Sequence, residues 1–377
     1  MGRVVLVTGV SGDLGGRFAR LATADPSVER VIGVDVVPPR GDMGEVRFVR
    51  ADIRNPVISK VIAGEDVDTV VHMSVIATPG SAGGRTSMKE LNVIGTMQLL
   101  AACQKSPGLK RLVVRSSTAV YGSSPRDPAM FTEDMAPKRM PRSGFAKDVV
   151  EVEGYVRGFA RRRPDVEVTM LRAANTIGPT VSSPIAQYFQ LPVVPTILGF
   201  DARLQFLHED DLLAALLHAT TAGVHGTFNV AGQGILKLSQ ALRRLGRPSV
   251  PLPGFAAAQL GSVVRPSRVA DFSPEQMSYL TYGRGVDTTR MREVLGFTPR
   301  HTTASAFDDF RRSFPGAPAA HDRAAALEEL LTGLLGGSGR ARPDTAPDTD
   351  DRPTASNLTG SNVRDLTTDR SRGGAHG

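Results

Sequence analysis

The chain has 377 residues, a formal net charge of +7, 41% hydrophobic residues, one cysteine and no tryptophan. That length and apolar content can bury one large core or two modest ones, while a single cysteine excludes an internal disulfide and a thiolate metal cage, so no metal site is expected. The positive charge has no aromatic interleaving or nucleic-acid motif beside it, no stretch is apolar enough to cross a bilayer, and the N-terminus reads as a strand; these features point to a cytoplasmic protein with no nucleic-acid partner and no transmembrane segment.

Val4 to Thr8 is an apolar β-branched run, followed by Gly9, Gly12 and Gly15 three apart and then by a helical pattern to Ala22. Gly9 permits a sharp exit from the strand, Gly12 removes a side chain where a pyrophosphate must approach the backbone, and Gly15 lets the helix pack closely on the sheet. The helix N-terminus adds N–H groups and a positive pole for the anion. A second strand, Val31 to Asp35, ends in a carboxylate twenty residues after Gly15. Asp35 is placed to accept from a ribose 2′-hydroxyl and to repel a 2′-phosphate, which favours NAD over NADP.

Further strands are expected over 46–50, 68–73, 111–116 and 166–172, with helices over 55–63, 85–105 and 146–163. Short apolar runs alternating with amphipathic helices predict an α/β fold, a Rossmann-type doubly wound parallel sheet. Cys103, within LLAACQ, reads as a buried helix residue, and Arg157, Arg161, Arg162 and Arg163 complement a helix C-terminus. From Gly178 onward, Pro179, Pro184, Pro192 and Pro195 are expected to break regular structure in a substrate-binding lobe. A helix over 209–220 and a strand over 227–230 return to the core, and another helix covers 287–295. Arg323 to Leu335 reads as an amphipathic helix, and Gly336 to Gly377 has the composition of a disordered tail. The expected organisation is a dinucleotide-binding domain over 1–177, a smaller substrate-binding lobe over 178–316, and a helix and tail over 317–377 that offer a surface to the core, a second subunit or a protein partner.

With VTGVSGDLGG, VIGVD, ADIRN, HMSV, LNVIGT, SSTAVYG, LRAANTIGP, FLHEDDL, FNVAGQG and TTRMREVLGFTPR in this order, the sequence resembles the NAD-dependent epimerase/dehydratase family from residue 3 to about residue 312. These are extended short-chain dehydrogenase/reductases, the group that includes UDP-glucose 4-epimerase. The resemblance implies NAD as cofactor, with Asp13 and Leu14 along the pyrophosphate, Asp52 and Ile53 flanking the adenine, Met73, Ser74 and Val75 lining the cofactor, and Asn92 anchoring the active-site helix. It also implies that Ser117 bonds the reacting hydroxyl and that Lys147 holds the nicotinamide ribose while acidifying a tyrosine four residues earlier. Ser143 occupies that tyrosine position.

An aliphatic hydroxyl is a far weaker acid than a phenol of pKa about 10, so Ser143 does not inherit the phenol's role unaided. Tyr121 is the alternative phenol within the same motif. Thr118 and Ala119 stand where 4,6-dehydratases carry an Asp and a Glu, which argues against that reaction. Asn175 matches an asparagine that contacts substrate diphosphate in sugar-nucleotide enzymes. Arg203 lies one place from the family's phosphate-binding arginine, whose position is Leu204, and a shift of one residue in a strand turns the side chain away. His208 reads as a structural residue near a helix start.

Two functions follow. One is hydride transfer at a secondary alcohol of a small-molecule substrate such as a sugar nucleotide, as in a UDP-glucose 4-epimerase-like oxidoreductase. The other is a catalytically impaired NAD-binding sensor or scaffold that engages a partner through its C-terminal segment. The resemblance further implies a homodimer formed through the helices over 85–105 and 146–163.

Overall fold

The alternation of apolar strands and amphipathic helices folds as a layered sheet in the computed structural model, which describes residues 2–74, 76–77, 83–254, 273–314 and three positions between 323 and 328. All of these fall in one compact unit, Met1–Ser338. Val75 lies outside the described residues, as does the expected helix and tail over 317–377 apart from Arg323, Ala324 and Glu328. The first half runs β1 (Arg3–Thr8), α1 (Asp13–Thr23), β2 (Val28–Asp35), β3 (Arg47–Arg50), α2 (Val57–Gly64), β4 (Thr69–His72), α3 (Arg85–Lys89), α4 (Gly95–Gln104), β5 (Arg111–Ser117), α5 (Gly144–Arg162) and β6 (Glu167–Ala173). The second half adds β7 (Asn175–Ile177), α6 (Pro184–Gln190), β8 (Val194–Ile197), β9 (Arg203–Leu204), β10 (Phe206–His208), α7 (Glu209–Thr221), β11 (Gly226–Val230), β12 (Leu236–Lys237), α8 (Leu238–Leu245) and β13 (Ser249–Leu252). Three helices follow: α9 (Pro274–Tyr282), α10 (Thr289–Glu293) and α11 (Thr303–Arg312).

Seven strands form one parallel sheet in the order β11-β6-β5-β4-β1-β2-β3. Because neighbouring side chains on a strand point to opposite faces, the sheet needs cover on both sides. Val5, Val7, Val113, Leu171 and Phe228 pack on one face with Phe18 and Ala22 of α1 and Leu212 and Leu216 of α7. Leu6, Ile32, Val70, Leu112 and Val114 pack on the other with Leu99 and Cys103 of α4 and Val152, Val156 and Phe159 of α5. Cys103 is fully buried, and burial pushes its thiol up to about 12, which leaves it inert as a nucleophile. A third core, built on Tyr188, Phe189, Leu204, Phe206, Phe307 and Phe310, joins the short strands and α6 to α11.

Two expectations are corrected here. Pro184 opens α6 rather than breaking structure, since proline suits the first helical turn and the Ser183 hydroxyl caps the helix by accepting from the Ala186 N–H at 3.2 Å. Pro195 sits within β8, whose partner β13 is its only strand neighbour among the described residues. The segment expected as one helix over 85–105 contains a π-helical turn at Glu90–Ile94, between α3 and α4.

A buried polar chain fixes the exits of β1 and β4. The Met73 and Ser74 N–H groups donate to Thr8 Oγ1, which lies 2.8 Å from His72 Nδ1; His72 Nε2 lies 2.8 Å from Thr96 Oγ1, and Thr96 donates to the Asn92 carbonyl. With the Thr96 proton committed, His72 Nε2 is the donor and Nδ1 the acceptor, so the ring is neutral. Burial lowers its pKa from 6.5 to about 4. An imidazole that resists protonation only when folded leaves stability intact above the unfolded value and removes it as pH falls through that interval. Unfolding free energy is therefore expected to drop by about 3 kcal/mol between pH 7 and pH 4 from this group. Denaturant titrations at the two values check the loss, and ring NMR should show no His72 titration above about pH 5.

Candidate functional site

At the C-terminal edge of the sheet, Gly9 turns the chain out of β1 at φ +80, and Gly12 forms the N-cap of α1 with no side-chain cap. A Cβ at Gly15 would stand 2.1 Å from the Gly9 carbonyl oxygen, whereas one at Gly12 would meet only that same oxygen at 3.5 Å. Gly15 is thus required for strand and helix to touch, and the surface over Gly12 is open beside an uncapped helix N-terminus. That combination fits the diphosphate of a dinucleotide.

The Asp35 carboxylate is fixed beside this cradle by the Ser11 N–H at 3.0 Å and the Val36 N–H at 2.7 Å. Asp13 is exposed and Leu14 half-buried at the start of α1. Arg17, one turn further, ties α1 to Glu209 at 2.9 Å and Thr180 at 2.8 Å. Asp52 is gripped by Arg54 at 2.7 Å, which lowers its pKa, and Ile53 is buried against Gly95 of α4. Asn92, on the π-helical turn, holds the backbone of Ile76 with two bonds of 2.9 Å, one accepted by Oδ1 and one donated by Nδ2. It anchors the segment after β4 to the helix that contains it.

Across the edge, Ser117 ends β5 and its Oγ accepts from the Ala119 N–H at 3.1 Å, leaving its own proton free to point outward. β5 is tied to α5 by Ser116, which donates to Glu153 at 2.6 Å. Lys147 lies in the first turn of α5, half-exposed, with Nζ 3.7 Å from Glu151. Ser143 is the N-cap residue of that helix, yet its side chain does not cap it; Oγ donates instead to Glu275 Oε1 of α9. Arg85 of α3 makes two 2.6 Å bonds to the buried Asp148 and donates to the Gly144 carbonyl at 2.9 Å.

Tyr121 requires a correction. Its ring is buried and stacked on Phe131 at 4.6 Å, and its hydroxyl accepts from Arg172 at 2.7 Å and lies 2.8 Å from Asn229 Oδ1. Burial raises its pKa, the opposite of what a proton-exchanging phenol needs. Arg203 is likewise committed elsewhere, donating to the carbonyls of Ala129 and Pro128 at 3.1 and 3.2 Å. Asn175 opens β7, which pairs in parallel with β10, the strand that carries His208. His208 caps α7, accepting from the Asp210 N–H, with its other nitrogen 3.0 Å from Asp309 and its ring stacked on His301 at 3.9 Å.

Three charged residues of the region escaped sequence reasoning. Arg284 is buried, lies over the Tyr279 ring, and donates to the Gly122 carbonyl at 2.7 Å and Thr118 Oγ1 at 3.3 Å, clamping the turn after Ser117. Arg115, two residues before Ser117 on the same face of β5, has no hydrogen bond or ion pair among the described residues, and burial draws its guanidinium down to about 10. Glu275 meets Ser143 across 132 residues of chain. None of the three lies in a pattern whose spacing announces its partner. Among the described residues no group of acidic, histidine or cysteine side chains is arranged to hold a metal.

An uncharacterized protein of Mycobacterium tuberculosis is 52% identical over 314 residues, covering 82% of this chain and 84% of its own. The UDP-glucose 4-epimerase of Mycolicibacterium smegmatis is 26% identical over 317 residues, covering 78% of this chain and 93% of its own. The crystal structure of a Thermotoga maritima UDP-glucose 4-epimerase with UDP-glucose superposes with a TM-score of 0.63 at 19% identity, over 82% of this chain and 98% of that one, a likeness of fold. The pattern of the NAD dependent epimerase/dehydratase family matches residues 5–231, and the chain belongs to that family.

Proposed function

We propose that the protein binds NAD across the C-terminal edge of its sheet and transfers hydride between a secondary alcohol carbon and the nicotinamide, with a sugar nucleotide as the class of substrate. The observation that carries this reading is the pairing, on one sheet edge, of an open glycine cradle flanked by Asp35 with Ser117 at the end of β5 and Lys147 at the start of α5. Gly9, Gly12, Asp13, Leu14, Gly15 and Asp35 hold the adenosine diphosphate end, with Asp52, Ile53, Met73, Ser74 and Asn92 shaping the cleft. Lys147 holds the nicotinamide ribose, and Ser117 donates to the reacting oxygen. When bound, the dinucleotide supplies the hydride acceptor. Arg115, a cation without a partner in the described chain, favours an anionic ligand, and Asn175 is the residue that the family pattern assigns to a substrate diphosphate.

A second reading, a dinucleotide-binding scaffold without turnover, draws on Ser143 in place of the phenol. Purified protein separates the two. The expected result is NAD released on denaturation, together with absorbance of reduced nicotinamide or isomer formation when UDP-glucose, UDP-galactose or UDP-glucuronic acid is added. Bound NAD with neither signal across that panel supports the scaffold; no dinucleotide at all sinks both readings.

A further inference from the structure

We propose that Glu275 is the proton acceptor of this site, working through Ser143 where the family's phenol is missing; the proposal rests on the hydride-transfer reading above. Ser143 lies four residues before Lys147 as the N-cap residue of α5, and its carbonyl accepts from the Lys147 N–H at 3.3 Å. Ser143 is exposed, and its hydroxyl proton is directed at Glu275 Oε1. The other carboxylate oxygen, Oε2, is buried with no hydrogen-bond partner among the described residues. A buried carboxylate oxygen left unbonded is costly, and such groups concentrate where chemistry uses them.

The chain is built to admit this carboxylate. A Cβ at Gly144 would lie 2.5 Å from Glu275 Oε2, so a larger residue would displace the carboxylate, and the backbone at φ +65 favours glycine there. Glu275 itself sits in the first turn of α9, which is fixed by Pro274 and by the Ser273 hydroxyl accepting from Gln276 at 3.3 Å. Arg85 of α3 is close enough to the carboxylate to interact with it electrostatically. Arg85 is bidentate to Asp148 and Lys147 is paired with Glu151, so neither cation is hydrogen-bonded to Glu275.

The step balances without a further reagent. The substrate O–H proton passes to Ser143 Oγ and the Ser143 proton passes to Glu275, which neutralises the carboxylate; bound NAD+ would take the carbinol C–H pair as hydride, balancing the oxidation of the alcohol to a ketone. A carboxylate at this place also favours the positively charged oxidised ring over the neutral reduced one.

Full-length protein, stripped of dinucleotide, is titrated with NAD+ and with NADH, as the native chain and as the Glu275→Gln and Ser143→Ala variants. Glutamine keeps an acceptor for Ser143 and removes the charge. Glu275→Gln is expected to weaken NAD+ about tenfold and leave NADH within about twofold, while Ser143→Ala leaves the ratio near native. If the native protein reduces its bound NAD with any of the three UDP-sugars, both variants should lose at least about a hundredfold in kcat with KM little changed. If none of the three reduces it, the reaction class has failed, yet the dinucleotide ratio still decides the placement of Glu275. Equal weakening of both dinucleotides, or no change in either, makes the pair a structural latch and overturns the proposal. A native protein that binds neither dinucleotide overturns it together with the reading it rests on.

Discussion

Gly12→Ala is expected to leave the melting temperature near native and abolish NAD binding, while Gly15→Ala loses both. The two glycines stand three residues apart in one turn, and the difference lies in what a methyl group would touch. At Gly15 it would be 2.1 Å from the Gly9 carbonyl oxygen and 2.8 Å from the Gly9 carbonyl carbon, both backbone atoms with no rotamer to yield. α1 must then lift from the sheet, separating Phe18, Ala19 and Ala22 from Val5 and Val7. Overpacking of this kind costs about 1–3 kcal/mol where side chains can adjust, and a backbone clash sits at or above the upper end. At Gly12 the methyl would meet only one oxygen at 3.5 Å, an ordinary contact, so folding is spared and only the ligand's approach is closed. Thermal unfolding alongside calorimetric titration of NAD separates the outcomes. Loss of stability in Gly12→Ala, or retained NAD affinity in Gly15→Ala, contradicts the division of labour.

Glu153→Ala is expected to cost about 3–5 kcal/mol, which lowers the melting temperature by roughly 10 °C in a domain of this size. Glu153 accepts from Arg172 at 2.9 and 2.8 Å and from Ser116 at 2.6 Å, and the side chains of Glu153 and Arg172 are 2% and 9% exposed. The carboxylate holds the Arg172 pKa above its ordinary value despite burial. Removing it strands a guanidinium that also positions the Tyr121 hydroxyl and the Glu133 carbonyl. The penalty is mostly that of the stranded charge rather than of the pair, so adding Arg172→Met should recover part of the loss. Chemical denaturation of both single variants and the double variant measures the coupling.

The strand-helix alternation was legible because each element carries its own periodicity, and the cradle because Gly9, Gly12 and Gly15 are neighbours whose roles are set by local backbone geometry. Asp35 was legible for the same reason, twenty residues on. The π-helical turn at Glu90–Ile94 was not, since its residues suit an ordinary helix and only the reach of Asn92 to Ile76 distinguishes it. Tyr121 looked available because sequence reports a phenol in a strand-end motif but not the Phe131 ring stacked on it or the arginine bonded to it. Arg203 was legible as an arginine turned away from the family's clamp position by one residue of register, but the two carbonyls that hold it were not. Glu275 had no signal at all, being an acidic residue in the first turn of a helix, where dipole complementarity alone accounts for it.

The seventh strand of the sheet has a consequence for how the chain is made. β6 pairs with β11, and residues 174–225 intervene. As the chain leaves the ribosome, β6 presents Met170 and Leu171 on an open edge until residue 230 has emerged, and the loop after β5 waits longer still, because Phe131 is bonded to Gly285 and Asp287. Long-range pairing of this kind is slow, and an apolar edge held open meanwhile invites association with other chains. A fragment that stops at residue 177 would hold the dinucleotide cradle and keep that edge permanently bare, so it should aggregate on refolding where the whole chain does not.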